Sequence, residues 1–247
     1  MVESDTPVLS LGEVPRLRAA AFVLVLAGVV AWDAVAPHLG EVSTWGEVAI
    51  IAAGVLPATL LLIYLALPLW SNRPVVAIAF IVFLIGAVVT WETHYYLASN
   101  FLKLGAYTCG GWMFLWIFEE LAWVILIALI IPFVDAISVA AGPTHTIVTH
   151  HFAVYSAVAV AFVAPGGRAA GLGPPDILFF ALFLASTVRW QLRPGWTWLA
   201  MTGMYSLTLV LANATGVNGL PALPFVSAGF LLANGDLLWR RLRPRRA

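Results

Sequence analysis

The sequence carries little charge for its length. Of its 247 residues only 10% are Asp, Glu, Lys or Arg, and 12 basic residues balance 12 acidic ones. A soluble domain of this length needs far more charge on its surface, since about 25% charged residues is usual, so a soluble globular protein is excluded. The zero formal net charge also gives no reason to expect a nucleic-acid partner.

Cysteine is nearly absent as well. The single cysteine, Cys109, excludes a disulfide within the chain and a cysteine-rich metal site. His145, His150 and His151 lie in "HTIVTHH", and imidazoles are good metal ligands. No cysteine or carboxylate lies near them in the sequence, so this stretch is predicted to be a solvated loop. Neither a metal nor an organic cofactor is expected.

Long hydrophobic runs take up most of the chain. Hydrophobic residues make up 62% of it and the mean hydropathy is +0.97, which indicates an integral membrane protein. A helix that crosses the membrane needs about 20 apolar residues. The sequence therefore predicts an all-α, polytopic transmembrane helical bundle of about eight spans. The predicted spans are 19–37, 47–70, 75–94, 98–118, 121–140, 174–191, 196–213 and 220–239.

The segments around the spans complete the predicted organisation. Its parts are a polar N-terminal segment (1–18), an N-terminal helical bundle (19–118), a C-terminal half (119–239) and a basic tail (240–247). The first span is predicted to be retained rather than cleaved, because Asp33 and Pro37 flank the one small-residue site that a signal peptidase could use. The stretch 152–165 is short and rich in small and β-branched residues, which predicts an extended strand.

The basic residues favour one orientation. With eight spans, the N-terminus, the turn at Arg73, the loop 189–193 and the tail after Arg240 all fall on one side. Because cytoplasmic segments of membrane proteins are enriched in Lys and Arg, both termini are predicted to be cytoplasmic. The expected location is the cell membrane, with several passes. Seven or nine spans would break this pattern.

Two aspartates lie in apolar segments. Asp135 is deep in "LIALIIPFVDAISVAAG", and Asp176 begins the apolar run of "GLGPPDILFFALFLAS". An ionisable group inside a span costs about 3 kcal/mol on insertion scales, so it is expected to face the bundle interior or a wet cavity. Two carboxyls that face each other would share one proton, so that one acts as a base and the other as an acid. Such a pair of carboxyls is the minimum catalytic requirement of an aspartic protease.

Helix-breaking residues accompany both aspartates. The segment 171–175, "GLGPP", predicts a non-helical approach to Asp176, with proline suited to the first turn of the helix. Pro132 lies one turn before Asp135 and is predicted to kink that helix. Irregular backbone at membrane depth is tolerated where it lines a cavity or is buried in protein. The pattern therefore favours a cavity around the aspartates.

Three motifs follow one another in the C-terminal half: "VDAISV" (134–139), "GLGPPD" (171–176) and "LPALP" (220–224). They resemble the YD, GxGD and PAL motifs of the presenilin and signal peptide peptidase family of intramembrane aspartyl proteases. "DAISV" is similar to the archaeal and bacterial members, and "FVAP" (162–165) resembles the family's approach to its second aspartate helix. The resemblance covers about 121–239, and the first four spans match the family only in being spans.

The resemblance implies a presenilin-like fold and proteolysis within the membrane, with 119–239 as the catalytic half. It implies Asp135 and Asp176 as the catalytic pair. The partners would be the lipid bilayer and a transmembrane protein or peptide substrate, with no obligatory accessory subunit. By analogy with the family, the predicted orientation implies substrates whose N-terminus is cytoplasmic, such as remnant signal peptides. The implied substrate-binding residues are Gly171, Leu172, Gly173, Pro221, Ala222 and Leu223.

A protease in a membrane has to hold its substrate extended, because a peptide bond inside a helix is shielded. Pro221 and Pro224 prevent regular helical pairing and leave backbone groups available. Those groups, together with the 152–165 strand, are expected to pair with an unwound substrate by strand addition. The alternative is that "LPALP" simply starts a helix after a turn.

Two positions depart from the family pattern. Val134 replaces the tyrosine before the first aspartate, so the role of that hydroxyl is absent or is supplied by another residue. Pro175 replaces the glycine before the second aspartate and stiffens the approach to Asp176.

Other functions remain open at this stage. A proton- or cation-coupled transporter or channel could use the same pair of carboxylates, although no inverted repeat is found. A catalytically inactive member of the family, which only binds membrane helices, is a third possibility. The acidic rivals to the aspartates are Glu92, which is close to His94, and the pair Glu119–Glu120. They fall at predicted span ends and are interpreted as interfacial.

Overall fold

Helices make up most of the structure. The computed structural model describes residues 13–141, 152–217 and 220–242. The predicted histidine loop, with His145, His150 and His151, lies outside the described residues. So do residues 1–12 of the polar N-terminal segment and residues 243–247 of the basic tail.

The first half of the chain folds into long helices joined by short turns. Helix α2 passes through a π-helical turn, Ile51–Val55, directly into α3. The side chain of Ser43 accepts a hydrogen bond from the Gly46 N–H and caps α2, and Asn72 caps α4 in the same way through the Val75 N–H. These helices are α1 (Glu13–Val35), α2 (Thr44–Ile50), α3 (Leu56–Ala66), α4 (Arg73–Glu92) and α5 (Tyr96–Leu115).

The second half combines helices with a small β-hairpin. Strands β1 (Val160–Val163) and β2 (Ala169–Leu172) are antiparallel, with Val160 opposite Leu172 and Val163 opposite Ala169. Proline occupies the first turn of three of the helices, where its missing N–H is not needed. The helices are α6 (Leu121–Ala141), α7 (Phe152–Val158), α8 (Pro174–Arg189), α9 (Pro194–Thr215) and α10 (Leu223–Leu242).

Four helical segments are long and apolar enough to cross a membrane: Pro15–His38, Thr44–Ser71, Arg73–Glu92 and Leu121–Ala140. Large apolar side chains on two of them face outward, with Ile78 63% exposed and Ile137 69% exposed. Such surfaces suit lipid and are rare on soluble monomers. These features support a membrane protein. The other four predicted spans also form helices (α5, α8, α9 and α10), but these are shorter or less apolar.

The strand predicted over 152–165 is only partly present. Residues Phe152–Val158 form α7, and extended backbone begins at Val160. The difference follows from the pairing, because β2 offers a partner only to the four residues Val160–Val163. A strictly all-α fold therefore overlooks one two-stranded sheet.

Helix α8 lies at the centre of the bundle. Every side chain from Phe180 to Thr187 is buried, which is typical of a helix that is surrounded on all sides. It packs against α5, α6, α9 and α10. The contact with α5 is close, since a Cβ added at Gly111 would overlap the main-chain oxygen of Leu178. Asp176 is thereby held at the head of the most enclosed helix.

Candidate active site

Asp176 lies in the first turn of α8 and closes that turn on itself. Its Oδ2 accepts a hydrogen bond of 2.8 Å from the Gly173 N–H, while its own N–H donates to the Gly173 carbonyl at 3.1 Å. The hydroxyl of Tyr205 on α9 donates to the Asp176 main-chain carbonyl at 2.8 Å. The carboxyl is half-buried. The Gly–Pro–Pro approach therefore fixes its position through backbone contacts.

Asp135 projects from α6, one turn after Pro132. Its Oδ2 accepts a hydrogen bond of 3.1 Å from the N–H of Leu223. Leu223 is the first residue of α10, so its N–H has no partner within its own helix. The non-helical "LPA" before it brings this donor to the aspartate, and α6 packs along α10. The "LPALP" element thus begins a helix and also supplies a backbone donor to Asp135.

The two carboxyls belong to one site. Helices α6 and α8 are in contact, and the two carboxyls lie close enough for the charge of Asp135 to affect Asp176. Both groups are half-buried, and each lies at the N-terminus of a helix: Asp176 on α8 itself, and Asp135 against α10. The positive end of a helix dipole favours negative charge. This arrangement suits two carboxyls that share one proton and retain one negative charge.

Two tyrosines beside the pair lie outside the three motifs. The hydroxyl of Tyr155 on α7 donates to the Gly171 carbonyl at 2.9 Å, and Tyr205 is almost fully buried against Asp176. Burial, together with the charge of Asp176, raises the pKa of Tyr155 to about 12, so it remains a neutral donor at ordinary pH. No spacing in the sequence marks either residue. Val134, where the family has tyrosine, is 53% exposed at the bundle surface.

Backbone groups of the hairpin point alternately across it and away from it. In an antiparallel pair, the N–H and carbonyl of one residue bond to the partner strand and those of the next residue point outward. The N–H and carbonyl of Ala161 point away from β2, because both bond to the Asn100 side chain, at 2.7 and 2.8 Å. Gly171 is directly opposite Ala161, and Ala169 is opposite Val163. The outward-facing backbone groups of β2 are therefore those of Ala169 and Gly171.

Side chains from the first half of the chain close the outer edge of β1. Asn100 takes both outward groups of Ala161, and the Trp32 indole N–H donates to the Val163 carbonyl at 2.8 Å. Just before the strand, the Lys103 ammonium donates to the Ala159 carbonyl at 2.6 Å. Buried Asp33 accepts from Asn100 at 3.4 Å. The predicted pairing of a substrate along 152–165 therefore lacks a free edge on β1.

The first residues of β2 border a cavity. Its volume is about 520 Å³, and it is lined by Ala169 and Ala170 of β2 and by Leu209 and Asn213 of α9, among other residues. At its rim Arg168 forms an ion pair of 2.5 Å with Glu47, which is buried. This is where the hairpin could accept a further strand.

The predicted substrate-binding residues fall into two groups. Gly171 is exposed on β2, whereas the side chains of Leu172, Ala222 and Leu223 are 8%, 8% and 2% exposed. Gly173 and Pro221 are half-buried. The buried members can meet a substrate through their backbone only. Both groups border the carboxyl pair, through the contacts of Gly173 and Leu223 described above.

The remaining candidate residues lie away from this site. The acidic rivals are exposed (Glu92, Glu119 and Glu120), and Cys109 is buried among apolar side chains. Across 13–141, 152–217 and 220–242, no three His, Cys, Asp or Glu side chains form a group that could hold a metal ion.

Comparison of the chain with family models, curated proteins and solved structures finds no match. The likeness to the presenilin and signal peptide peptidase family therefore depends on the three motifs and on the geometry of their residues.

Proposed function

We propose that this protein is an intramembrane aspartyl protease with a presenilin-like active site. The observation that supports the proposal most directly is the meeting of Asp135 and Asp176. Both are half-buried, each accepts a hydrogen bond from a backbone N–H at a helix N-terminus, and their charges interact. Asp33, also in an apolar helix, is instead hydrogen-bonded within a side-chain network. This difference supports a reactive pair rather than a packing contact.

The chemistry follows from two carboxyls with one proton between them. The ionised carboxyl takes a proton from water while the water oxygen attacks the carbonyl carbon of a peptide bond. The protonated carboxyl gives its proton to the carbonyl oxygen, which yields a tetrahedral diol. The carboxyl that took a proton from water then gives it to the amide nitrogen while the other carboxylate takes a proton from a diol hydroxyl. The C–N bond breaks, an amine and a carboxylic acid are released, and the pair again holds one proton. One water is consumed, and both aspartates return to their starting state.

The substrate would pair with the outer edge of β2. Ala169 and Gly171 present backbone groups there, the 520 Å³ cavity borders Ala169, and the strand leads directly to Asp176. Backbone pairing holds a peptide extended, which exposes the bond to be cleaved. β1 is unsuitable because Asn100 and Trp32 already occupy its edge. We therefore assign strand addition to β2 rather than to the 152–165 segment as a whole.

The decisive experiment compares four purified proteins in detergent or liposomes. Each receives a single-span reporter peptide, and cleavage is followed by mass spectrometry. We expect cleavage by the parent and none by Asp135→Asn or Asp176→Asn. Asp236→Asn is the matched control, because this exposed aspartate at the far end of α10 pairs with Arg193 and not with the site. Cleavage by either site variant at the parent rate would refute the proposal.

A transporter or channel built on the same carboxylates is the competing function. Proteoliposomes loaded with a pH-sensitive dye would report proton flux in the same four proteins. Flux that depends on both aspartates, without cleavage of the peptide, would replace the protease with a transporter. The backbone edge of β2 favours a peptide over an ion, since an ion has no use for a row of strand-pairing groups.

We also propose eight spans with both termini in the cytoplasm of a cell-membrane protein. The N-terminus of α8 then faces outward, and substrates enter with a cytoplasmic N-terminus, as remnant signal peptides do. The support is the one-sided distribution of basic residues. A reporter enzyme fused after the C-terminal residue tests this topology, and a C-terminus found outside the cell would overturn it.

A further inference from the structure

We propose that the Tyr155 hydroxyl is a place-holder for substrate, meaning that it makes the hydrogen bond on the β2 edge that a bound substrate would make. It donates to the Gly171 carbonyl in the free enzyme and has to leave when the N–H of a substrate strand binds there. Tyr155 is thus a positioning residue that adjusts substrate binding. The inference builds on the proposed protease function and adds a residue that the family motifs do not contain.

The geometry places this hydroxyl on a strand-pairing group. Gly171 lies opposite Ala161, whose N–H and carbonyl both point away from the hairpin to Asn100. In such an antiparallel pair the Gly171 carbonyl also points away from β1, to the outer edge of β2. The Tyr155 hydroxyl donates to that carbonyl at 2.9 Å. It therefore makes the hydrogen bond that an added strand would make with its N–H.

Glycine at position 171 permits this close approach. A Cβ added there would lie 3.1 Å from the Tyr155 hydroxyl oxygen and 3.3 Å from its ring. Any larger residue would therefore press on the tyrosine. The first glycine of the "GLGPPD" motif has a local reason in this chain, namely contact with Tyr155.

The two edges of the hairpin differ in how readily they can be opened. On β1 the buried Asn100 side chain makes two hydrogen bonds to Ala161, and Trp32 adds a third bond to the strand. On β2 the Gly171 carbonyl is bonded to one hydroxyl, on the two-turn helix α7. Replacing one neutral hydrogen bond by another changes the free energy little. The β2 edge can therefore exchange its partner at low cost, and the β1 edge cannot.

The substitution Tyr155→Phe tests the idea because it removes the hydroxyl and keeps the ring. If the hydroxyl competes with substrate, the variant should bind substrate more tightly. We expect KM to fall by roughly three- to tenfold, the effect of one neutral hydrogen bond, with kcat within about twofold of the parent. If the tyrosine only braces α7, the variant should lose thermal stability and KM should rise or stay constant. An unchanged or higher KM would overturn the proposal.

Tyr107→Phe is the matched control. The Tyr107 hydroxyl donates to the Val158 carbonyl at 2.8 Å, so the same type of bond is removed on the β1 side of the hairpin. We expect no fall in KM for this variant. An equal fall in both variants would mean that loosening α7, and not freeing Gly171, improves binding.

Ester substitution in the substrate provides a second, more specific test. Replacing one backbone N–H at a time by an ester oxygen removes the donor that would reach Gly171. At one position the ester should raise KM more in Tyr155→Phe than in the parent, because in the parent the tyrosine can return to the carbonyl. Equal penalties in the two proteins at every position would contradict the place-holder role.

A spectroscopic measurement covers the case in which Tyr155→Phe does not fold. 3-Fluorotyrosine at position 155 of the full-length protein reports its hydroxyl contact by ¹⁹F NMR. Adding an extended peptide-like aspartyl protease inhibitor should shift this resonance, and an unshifted resonance on a saturated enzyme would overturn the proposal. If the parent does not cleave the reporter peptide, the proposed function fails. If it cleaves and KM does not fall in Tyr155→Phe, only this inference fails.

Discussion

The two halves of the molecule use buried polar residues in different ways. In α1–α5, Asp33, Asn100 and Lys103 are buried and bond either to one another or to the backbone of the hairpin. In α6–α10, Asp135 and Asp176 bond to backbone N–H groups at helix N-termini and interact with each other. The first set holds a strand in place. The second set brings together two carboxyls whose charges affect each other.

This contrast shows that a carboxylate in an apolar helix is not evidence of catalysis by itself. Like Asp135, Asp33 lies in a segment apolar enough to cross a membrane, yet it is hydrogen-bonded to the side chain that also binds β1. The identity of the partner separates the two cases. A side-chain amide completes a packing network, whereas a helix N-terminus and a second carboxyl create a place where charge and protons can be held.

The largest expected effect concerns the second half alone. Asp135→Asn and Asp176→Asn should each lower kcat/KM by about 10³-fold or more, and the double variant should lose no more than the single ones, because the pair acts as a unit. Initial rates of peptide cleavage would measure this. Losses that multiply in the double variant would show that the two carboxyls act independently.

The next effect concerns the contact between the halves. Gly111→Ala on α5 would place its Cβ against the Leu178 main-chain oxygen and 3.0 Å from the Ala181 Cβ on α8. We expect the free energy of unfolding to fall by about 1–3 kcal/mol or more, because backbone cannot give way as a side chain can. Thermal unfolding in detergent would measure it. Gly28→Ala is the control, since no atom lies within 4 Å of its added Cβ, and equal losses in both variants would contradict the packing account.

A smaller effect should sharpen the role of the first half in holding β1. Asn100→Ala leaves the N–H and carbonyl of Ala161 without their partner, which costs about 1–3 kcal/mol for buried polar groups. We expect a lower apparent Tm and faster hydrogen exchange at the Ala161 amide. Asn72→Ala, which removes an exposed helix cap, should leave the Ala161 exchange rate unchanged. An unchanged exchange rate at the Ala161 amide in Asn100→Ala would show that Asn100 does not hold the strand.

The smallest effect is expected at the surface. Arg193 and Asp236 form a two-pronged ion pair at 2.8 and 2.7 Å, and both side chains are about half exposed. Exposed ion pairs contribute little to stability, and salt screens them. Arg193→Gln should therefore leave the apparent Tm unchanged in high salt. A large shift that persists at high salt would show a structural role for this contact.

The sequence predicted the helices well, because apolar runs of span length have few alternatives in lipid. Helices occur at all eight predicted spans, and four of them are apolar enough to cross a membrane on that criterion alone. The other four are shorter or less apolar, and some carry polar residues that face the interior, such as Lys103 on α5. Mean hydropathy depends on composition and carries no information about which face of a helix is buried. The number of spans therefore remains a prediction.

Local pattern was a weaker guide to polar contacts. Arg240 lies one turn after Asp236, a spacing that favours an ion pair within a helix, but Asp236 bonds to Arg193 instead. Tyr155 and Tyr205 could not be predicted as site residues, because neither lies in a motif and their hydrogen-bond partners are 16 and 29 residues away in the sequence. Pairings over such separations depend on how helices pack, which no local spacing records.

By itself, the sequence determined that the chain is rich in membrane-length helices and that Asp135 and Asp176 are costly to place in them. Both conclusions follow from transfer free energies, which depend on composition and order alone. The packing of the helices was needed to show that these two carboxyls lie within reach of each other's charge, that the Leu223 N–H reaches one of them, and that Asn100 and Trp32 cover the outer edge of β1. Those outcomes depend on the packing of helices that are distant in the chain, and on which strand edge their side chains leave uncovered.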